Sequence, residues 1–275
     1  MGALYALDCD YWCRDCRPSL RCAPQAAGAQ LQIFDKGRAP GGRLATRELQ
    51  LPSGAIGVDH GAQYFAARTP LFQAQCERWR TAGVLAPWRV AEREMVPPSL
   101  RPAPAAARLR GVADMRNLAA HCAQGLPLHL HAEVLSLPRR PTGWALQLAD
   151  GREYSGFDYL LLALPAEQTA ALLVGVAPGL SAQAAAARTA PCWAGLFAFT
   201  HDHAAKHHAI RGSGEGTLRW LARSAHGPAW VAHATPAWSR AHREQSASWV
   251  SATLERALRA ILPGLGASVQ AVAHR

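Results

Sequence analysis

Phe34-Asp35-Lys36-Gly37-Arg38-Ala39-Pro40-Gly41-Gly42-Arg43 decides the fold. It closes the run Gln30-Leu31-Gln32-Ile33-Phe34-Asp35, whose alternation of apolar and polar residues predicts a strand. The chain then turns into a Gly/Pro/Arg loop, Lys36 to Arg43. An acidic residue at the end of a second strand can accept hydrogen bonds from both ribose hydroxyls of an adenine nucleotide. A Gly-Gly-Arg loop can bring backbone N–H groups and a guanidinium against a pyrophosphate. The Gly41-Gly42 pair alone is an ordinary turn. Asp35 at a strand end with Gly41-Gly42-Arg43 six residues later is a much more specific pattern.

Outward from this stretch, Ala26-Ala27-Gly28-Ala29 reads as a helix end closed by glycine. Helices are expected over Pro70 to Ala82, Met115 to Cys122, Ala166 to Val174 and Ser246 to Leu262, the last stopped by Pro263-Gly264. Pro127 to Leu137 and Trp144 to Leu148 alternate and predict antiparallel strands. The continuous apolar run Tyr159 to Leu164 predicts a strand buried on both faces. Further strands are expected at Trp193 to Thr200, Thr217 to Ala222 and Trp230 to Ala234, while 97–106 is Pro/Ala-rich and predicts a surface crossing. Residues 1–24 have no clean period. Strand, loop, distant strands, then a buried strand and helix predict an α/β chain: a doubly wound, mostly parallel dinucleotide domain interrupted by an antiparallel-sheet domain.

Composition narrows the classes. Of 275 residues, 49% are hydrophobic and 17% charged, a globular balance. No apolar run approaches a membrane span, and the N-terminus lacks a basic start followed by an apolar stretch. The expected location is therefore the cytoplasm, with no membrane partner. The net charge of +10 comes almost wholly from scattered Arg, with no basic run interleaved with aromatics, which argues against a nucleic-acid partner. Seven cysteines, an odd number, predict free thiols.

The second motif is Val58-Asp59-His60-Gly61-Ala62-Gln63-Tyr64-Phe65. His60 reads either as a packed histidine or as a base, and Tyr64 and Phe65 either as core or as site residues. With the Gly-Gly-Arg loop, this segment resembles the renalase-like branch of the flavin amine-oxidase superfamily. Those proteins carry an acidic strand end, a Gly-Gly-Arg loop and an Asp-x-Gly-x-x-[Tyr/Trp]-Phe segment whose backbone lines the isoalloxazine ring. The likeness continues at Glu133-Val134, at Ala163-Leu164-Pro165, at Pro191-Cys192-Trp193, and at Trp230 to Ala234 with Trp238-Ser239. It implies FAD as cofactor, with Asp35 and Lys36 at the ribose and Gly41, Gly42, Arg43 and Leu44 at the pyrophosphate. It places Gly61, Ala62, Gln63 and Tyr64 along the ring, Val134 at the adenine, and Ala163 and Pro165 beside the cofactor. It also implies an FAD domain at 1–65 and 108–172 and a substrate domain at 66–107 and 173–275. The implied chemistry is hydride transfer from an amine or a reduced nicotinamide, NAD(P)H, to flavin, with reoxidation by O2. No residue is marked as an acid or base.

The chain departs from that family at its opening. The family begins with a strand and Gly-x-Gly-x-x-Gly, which admits a tight turn and close approach to pyrophosphate. Counted back from Asp35, the three glycines belong at positions 12, 14 and 17, where this chain has Trp12, Arg14 and Arg17. Trp has the single codon TGG and Cys begins TG, so reading one base later across Trp12-Cys13 gives GGT, a glycine codon. The same shift over Asp8 to Cys22 permits Thr-Ala-Thr-Ile-Gly-Ala-Gly-Ile-Ala-Gly-Leu-Ala-Cys-Ala-Ala, which has the family pattern in register. A local frameshift accounts for the replacement and for Cys9, Cys13, Cys16 and Cys22 crowding together. Asp8, Asp10 and the arginines of this stretch predict that the first strand is missing, leaving the Gln30 to Asp35 strand without its central neighbour and adjacent to Tyr159 to Leu164. At the other end, family members continue past a strand like Val269 to Arg275 into a final Gly-Asp segment and helix, which is expected to be missing here. Two other readings stand beside the oxidoreductase: a remnant that keeps the fold without FAD, and a metal protein using Cys13-x-x-Cys16 or His201-x-His203 with His207-His208.

Overall fold

The computed structural model describes residues 2–7, 30–96, 99–104, 106–202 and 209–274. The chain divides into two compact units, Met1–Leu44, Ala67–Leu85 and Gly111–Thr189 in the first, and Ala45–Ala66, Ala86–Arg110 and Ala190–Arg275 in the second. It therefore passes from one unit to the other five times. Strands β5 (Leu85–Pro87) and β8 (Leu109–Gly111) each span one of these crossings. Relative to the boundaries implied by the resemblance, 45–65 lies in the second unit and 67–85 in the first.

The first unit is built on β1 (Gly2–Leu7), β2 (Gln30–Phe34), β9 (Leu128–His129) and β14 (Tyr159–Ala163). They form one sheet in the order β14-β1-β2-β9, parallel throughout, which is the doubly wound arrangement. Two expectations are corrected. The central strand is present, because the uncharged run Gly2–Leu7 takes that place, pairing Ala3 with Tyr159 on one side and with Leu31 on the other. Consequently β2 and β14 share a sheet and a direction but are separated by β1. The strand buried on both faces is also corrected: β14 is an edge strand, Tyr159 is 67% exposed, and none of its five residues is fully buried.

A meander follows β9. Strands β10 (Val134–Ser136), β11 (Arg139–Arg140) and β13 (Glu153–Phe157) all pair antiparallel to β12 (Gly143–Leu148). Leu146, Leu148 and Phe157 from the meander meet Phe34 of β2 and the half-buried Leu160 and Leu162 of β14 to make the core of this unit. Helix α1 (Pro70–Thr81) starts at Thr69, whose hydroxyl accepts Phe72 N at 3.4 Å, with Pro70 preset for the first turn. Helix α2 (Met115–Ala123) is capped by Asp114, which accepts Asn117 N at 2.7 Å. It buries Met115, Leu118, Ala119 and Cys122, one stripe at helical spacing. Helices α3 (Ala166–Leu173) and α4 (Pro178–Ala186) complete the unit.

In the second unit, β6 (Glu92–Val96), β7 (Ser99–Pro102), β15 (Ala194–Phe199), β16 (Ala209–Arg211), β17 (Leu218–Arg223), β18 (Ala229–Ala234) and β19 (Ser268–His274) form one sheet, ordered β19-β15-β18-β17-β16-β6-β7. All pairs are antiparallel except β16 with β6. Side chains of β15 alternate between two covers. Phe197 and Phe199 pack with Trp230 under Val250, Leu254 and Leu258 of helix α6 (Ala247–Ile261). Leu196 and Ala198 pack on the other face against Leu49, Leu51 and Val58 of the hairpin formed by β3 (Thr46–Leu51) and β4 (Gly54–Asp59). Helix α5 (Pro236–Ala241) leads into α6. Among the described residues no helix is long and apolar enough to cross a membrane.

Candidate functional site

In open parallel sheets, ligands bind beyond the carboxyl ends of the strands. Asp35 stands there, one residue past β2, with its side chain buried at 5% exposure. Its Oδ1 accepts Gly37 N at 2.7 Å, so the carboxylate caps the turn that follows. The turn is fixed against the end of β9: Asp35 N donates to His129 O at 2.9 Å, Ala132 N to Asp35 O at 3.0 Å, and His131 N to Gly37 O at 3.0 Å. Lys36 reaches the next element, with Nζ 3.3 Å from Gln168 Oε1 on α3. Ala163 ends β14 and Pro165, buried, precedes α3 at the same carboxyl end. Asp35, Lys36, Ala163 and Pro165 are thus gathered at the carboxyl edge of the parallel sheet.

Gly41 and Gly42 adopt φ of +139° and +45°, values that side-chain-bearing residues rarely take. Leu44 N closes a short 3-10 turn onto Gly41 O at 2.7 Å, and a Cβ on Gly41 would lie 3.5 Å from Ala119 on α2. The turn presents Arg43, whose charge acts on Glu167 of α3. The Glu167 carboxyl is held below the ordinary range, first by its hydrogen bond from the Thr189 hydroxyl. Val134 begins β10, two residues after Ala132, whose N–H closes on Asp35 O. Gln168, Glu167 and Thr189 had no motif to mark them in the sequence; only the fold brings them to the Asp35 and Gly-Gly-Arg turns. The Cys13/Cys16 pair, the Trp12, Arg14 and Arg17 positions, and His203, His207 and His208 lie outside the described residues. Among the described residues no cluster of three or more His, Cys, Asp or Glu is arranged to hold a metal.

The Asp59 to Phe65 segment belongs to the second unit and is tied down there. Gln63 Nε2 donates to Asp59 O and Gly61 O, at 2.9 and 2.8 Å, and Trp220 Nε1 donates to Gln63 Oε1 at 3.0 Å. His233 Nε2 donates to His60 O at 2.9 Å. Tyr64 stacks on Trp88 with centroids 4.9 Å apart and leans on Trp220 at 5.4 Å. The Arg108 guanidinium sits 4.2 Å above the Tyr64 ring and is ion-paired to Glu92, both side chains being under 10% exposed. Tyr64 is therefore a packing residue of this cluster, and the Gln63 amide is committed to protein partners.

His60 packs edge-on to His274, with ring centroids 5.2 Å apart, and its Nδ1 is buried without a hydrogen-bond partner among the described residues. Burial, then the neighbouring His274, Arg47 and His233, push its pKa from 6.5 down to about 4. Burial also lowers that of His233. In the folded chain His60 is thus neutral at pH values where an unfolded chain already binds the proton. Its contribution is intact above about pH 6.5 and is lost as pH falls from there through about 4. We expect denaturant midpoints to fall across that window in the wild type, and less steeply in His60→Gln. Equal slopes in the two proteins contradict the assignment.

No protein-family model matches the chain. Solved structures share its fold. The chain aligns to a candidate protoporphyrinogen oxidase from Exiguobacterium sp. 255-15 with a TM-score of 0.72 and 11% identity, over 99% of this chain and 85% of that one. An engineered putrescine oxidase double mutant with redesigned cofactor binding aligns with a TM-score of 0.70 and 12% identity, over 99% and 84%. Wild-type putrescine oxidase bound to putrescine gives 0.66 and 12%, again over 99% and 84%.

Proposed function

Starting from the fold shared with those oxidases, we propose that the chain derives from an FAD-dependent oxidoreductase of the flavin amine-oxidase type, and that its renalase-like features mark the branch. The observation that carries this reading is the parallel sheet with buried Asp35 at its carboxyl edge beside the positive-φ Gly41-Gly42 turn and Arg43. An acidic strand end, N–H groups at a glycine turn and a guanidinium are the donor and acceptor set that a ribose–pyrophosphate ligand needs. Asp35 would hold the ribose, Gly41, Gly42 and Arg43 the pyrophosphate, Val134 the adenine, and Ala163 and Pro165 would flank the cofactor. Lys36, held by Gln168, would pin the turn that aims Asp35. Bound FAD supplies hydride acceptance from a substrate C–H or a reduced nicotinamide, with return of the electrons to O2. The protein's part is to bind, orient and shield it. Putrescine oxidase among the fold relatives favours an amine substrate; the renalase-like motifs favour a reduced nicotinamide. Two free thiols among the described residues, Cys76 and Cys192, accord with a cytoplasmic setting.

A second reading rests on Trp12, Arg14 and Arg17, which stand where the family needs glycine. It is that of a chain keeping the fold without the cofactor. Absorbance of the purified protein in the flavin region separates the two, yellow supporting the first and colourless the second. In protein that binds FAD, Asp35→Ala is expected to weaken binding by about 1.5–3 kcal/mol, the scale of hydrogen bonds to a charged group. Fluorescence titration with FAD measures this, and unchanged affinity removes Asp35 from the site.

A further inference from the structure

We infer that His60, His233 and His274 form a proton-operated latch that holds the edge strand β19 on the sheet of the second unit, and that acid releases the strand. Ala194 of β15 pairs with His233 of β18 on one side and with His274 of β19 on the other. Residues directly opposite one another in a sheet share a face, so the two histidines flank Ala194 on the face that carries Leu196 and Ala198. The β3–β4 hairpin covers that face through Leu49, Leu51 and Val58. His60, one residue past β4, bridges the row: its carbonyl accepts His233 Nε2 at 2.9 Å, and its ring packs edge-on to His274 with centroids 5.2 Å apart. The strands on either side of β15 are thereby tied to one residue of the hairpin's end.

Every charged or titratable side chain acting on the His60 ring is basic: His274 from β19, Arg47 from β3 and His233 from β18. Arg219 of β17 acts in the same sense on His233. The hairpin's carboxylates lie on its other face. Asp59 pairs with Thr46 and accepts its hydroxyl at 2.6 Å, and Glu48 alternates with the inward-facing Leu49. A proton on His60 Nδ1, which is buried without a partner among the described residues, therefore meets no counter-ion there. Burial and these neighbours hold the His60 pKa at about 4, below the ordinary 6.5. An opening that returns the ring to water is thus favoured as pH falls below about 6.5. Strand β19 is the part that yields. It pairs on one side only, and of its seven residues only Ala273 is fully buried, whereas the hairpin is anchored by Leu49, Leu51 and Val58. Elements that bury little apolar surface open first.

Hydrogen exchange of the full chain, read by mass spectrometry as protection relative to an unstructured peptide at the same pH, tests the latch. Between about pH 7 and pH 5 the protection of residues 268–274 is expected to fall by up to about twentyfold, the change that a pKa held at about 4 instead of 6.5 gives by linkage. Helix α6, in the same unit, should keep its protection. His60→Gln keeps the backbone carbonyl for His233 but removes the titrating ring, and it should retain little of the change in β19. His274→Glu sets a carboxylate beside His60, favours the proton there and should reverse the sign, with β19 held more tightly at about pH 5 than at pH 7. A side chain that only fills space would not reverse a pH dependence. Unchanged β19 protection in the wild type, a loss shared equally by α6, or the wild-type fall persisting in His60→Gln or in His274→Glu overturns the inference.

Discussion

On the cofactor-free reading, a chain in which residues 8–22 read Thr-Ala-Thr-Ile-Gly-Ala-Gly-Ile-Ala-Gly-Leu-Ala-Cys-Ala-Ala is expected to purify yellow and retain FAD through gel filtration, while the chain with Trp12, Arg14 and Arg17 stays colourless. The first loop of the family fold brings its backbone against the pyrophosphate, and any side chain there fills the space the phosphates require. The strand register adds a second argument. Here Ala6 pairs with Phe34 and the central strand ends at Leu7, five residues before position 12, where the sequence pattern puts its first glycine. The restored peptide supplies Thr-Ala-Thr-Ile where Asp8 and Asp10 now stand, so the strand should slide to place the glycine turn at the mouth of the Asp35 turn. FAD stoichiometry by absorbance is the measurement. A colourless restored chain, or a yellow original, contradicts the frameshift account.

Replacing Glu92 by Ala is expected to destabilise the second unit by about 3–5 kcal/mol, because it leaves a buried guanidinium without its counter-ion. Glu92 is 8% exposed and is shared by two arginines, Arg108 within the aromatic cluster and Arg211 across the sheet at 2.8 Å. Arg108 has little alternative: it is walled in by the rings of Tyr64, Trp88 and Trp220. Ring faces attract a cation but do not replace a carboxylate. The double variant Glu92→Met with Arg108→Met should be less harmful than Glu92→Ala, since replacing both partners of a buried pair with apolar side chains removes the stranded charge. Urea unfolding monitored by tryptophan fluorescence gives all three values. A cost for Glu92→Ala under about 1 kcal/mol, the range of exposed pairs, means that Glu92 and Arg108 behave as a solvated pair.

The elements that the sequence announces are those where local pattern and final environment agree. Helices α1, α2 and α6 sit where apolar spacing and capping residues put them, because Thr69, Asp114 and Ser246 each bind the N–H that their positions predict, and α3 follows its Pro165 start without a side-chain cap. Strands β12, β15, β17 and β18 likewise follow their apolar runs. Gly2–Leu7 was hidden because Gly-Ala-Leu-Tyr-Ala-Leu neither alternates nor carries a β-branched residue, and its place is fixed by partners 28 and 156 residues downstream. Tyr159–Ala163 misled in the other direction: a continuous apolar run reads as a buried strand, but burial depends on whether a neighbour pairs on each side. The β3–β4 and β6–β7 hairpins went unseen because Arg, Glu, Gln and Pro interrupt their alternation. In the candidate site, the strand end at Asp35 and the turn at Gly41 and Gly42 were legible because strand ends and positive-φ glycines leave local signatures. The Gln168 contact to Lys36 and the His233 contact to His60 span more than a hundred residues and leave none.

The five crossings between units set a timetable for synthesis. As the polypeptide leaves the ribosome from its N-terminus, β2 can find β1 early, but β14, which flanks β1 on the other side, emerges only after residue 163. Strands β6 and β7 appear near residue 100 as a hairpin, and β6 waits for β16, its other partner in the sheet, until past residue 209. The β3–β4 hairpin waits as long for the apolar face of β15 and β18 that covers Leu49 and Val58. Pairings so distant in sequence form slowly, and the waiting strands expose apolar side chains and open edges meanwhile. Neither unit can be completed from a contiguous fragment, so both depend on late segments of one nascent chain, and in the second unit the longest wait runs from the appearance of β3 and β4 to that of β18.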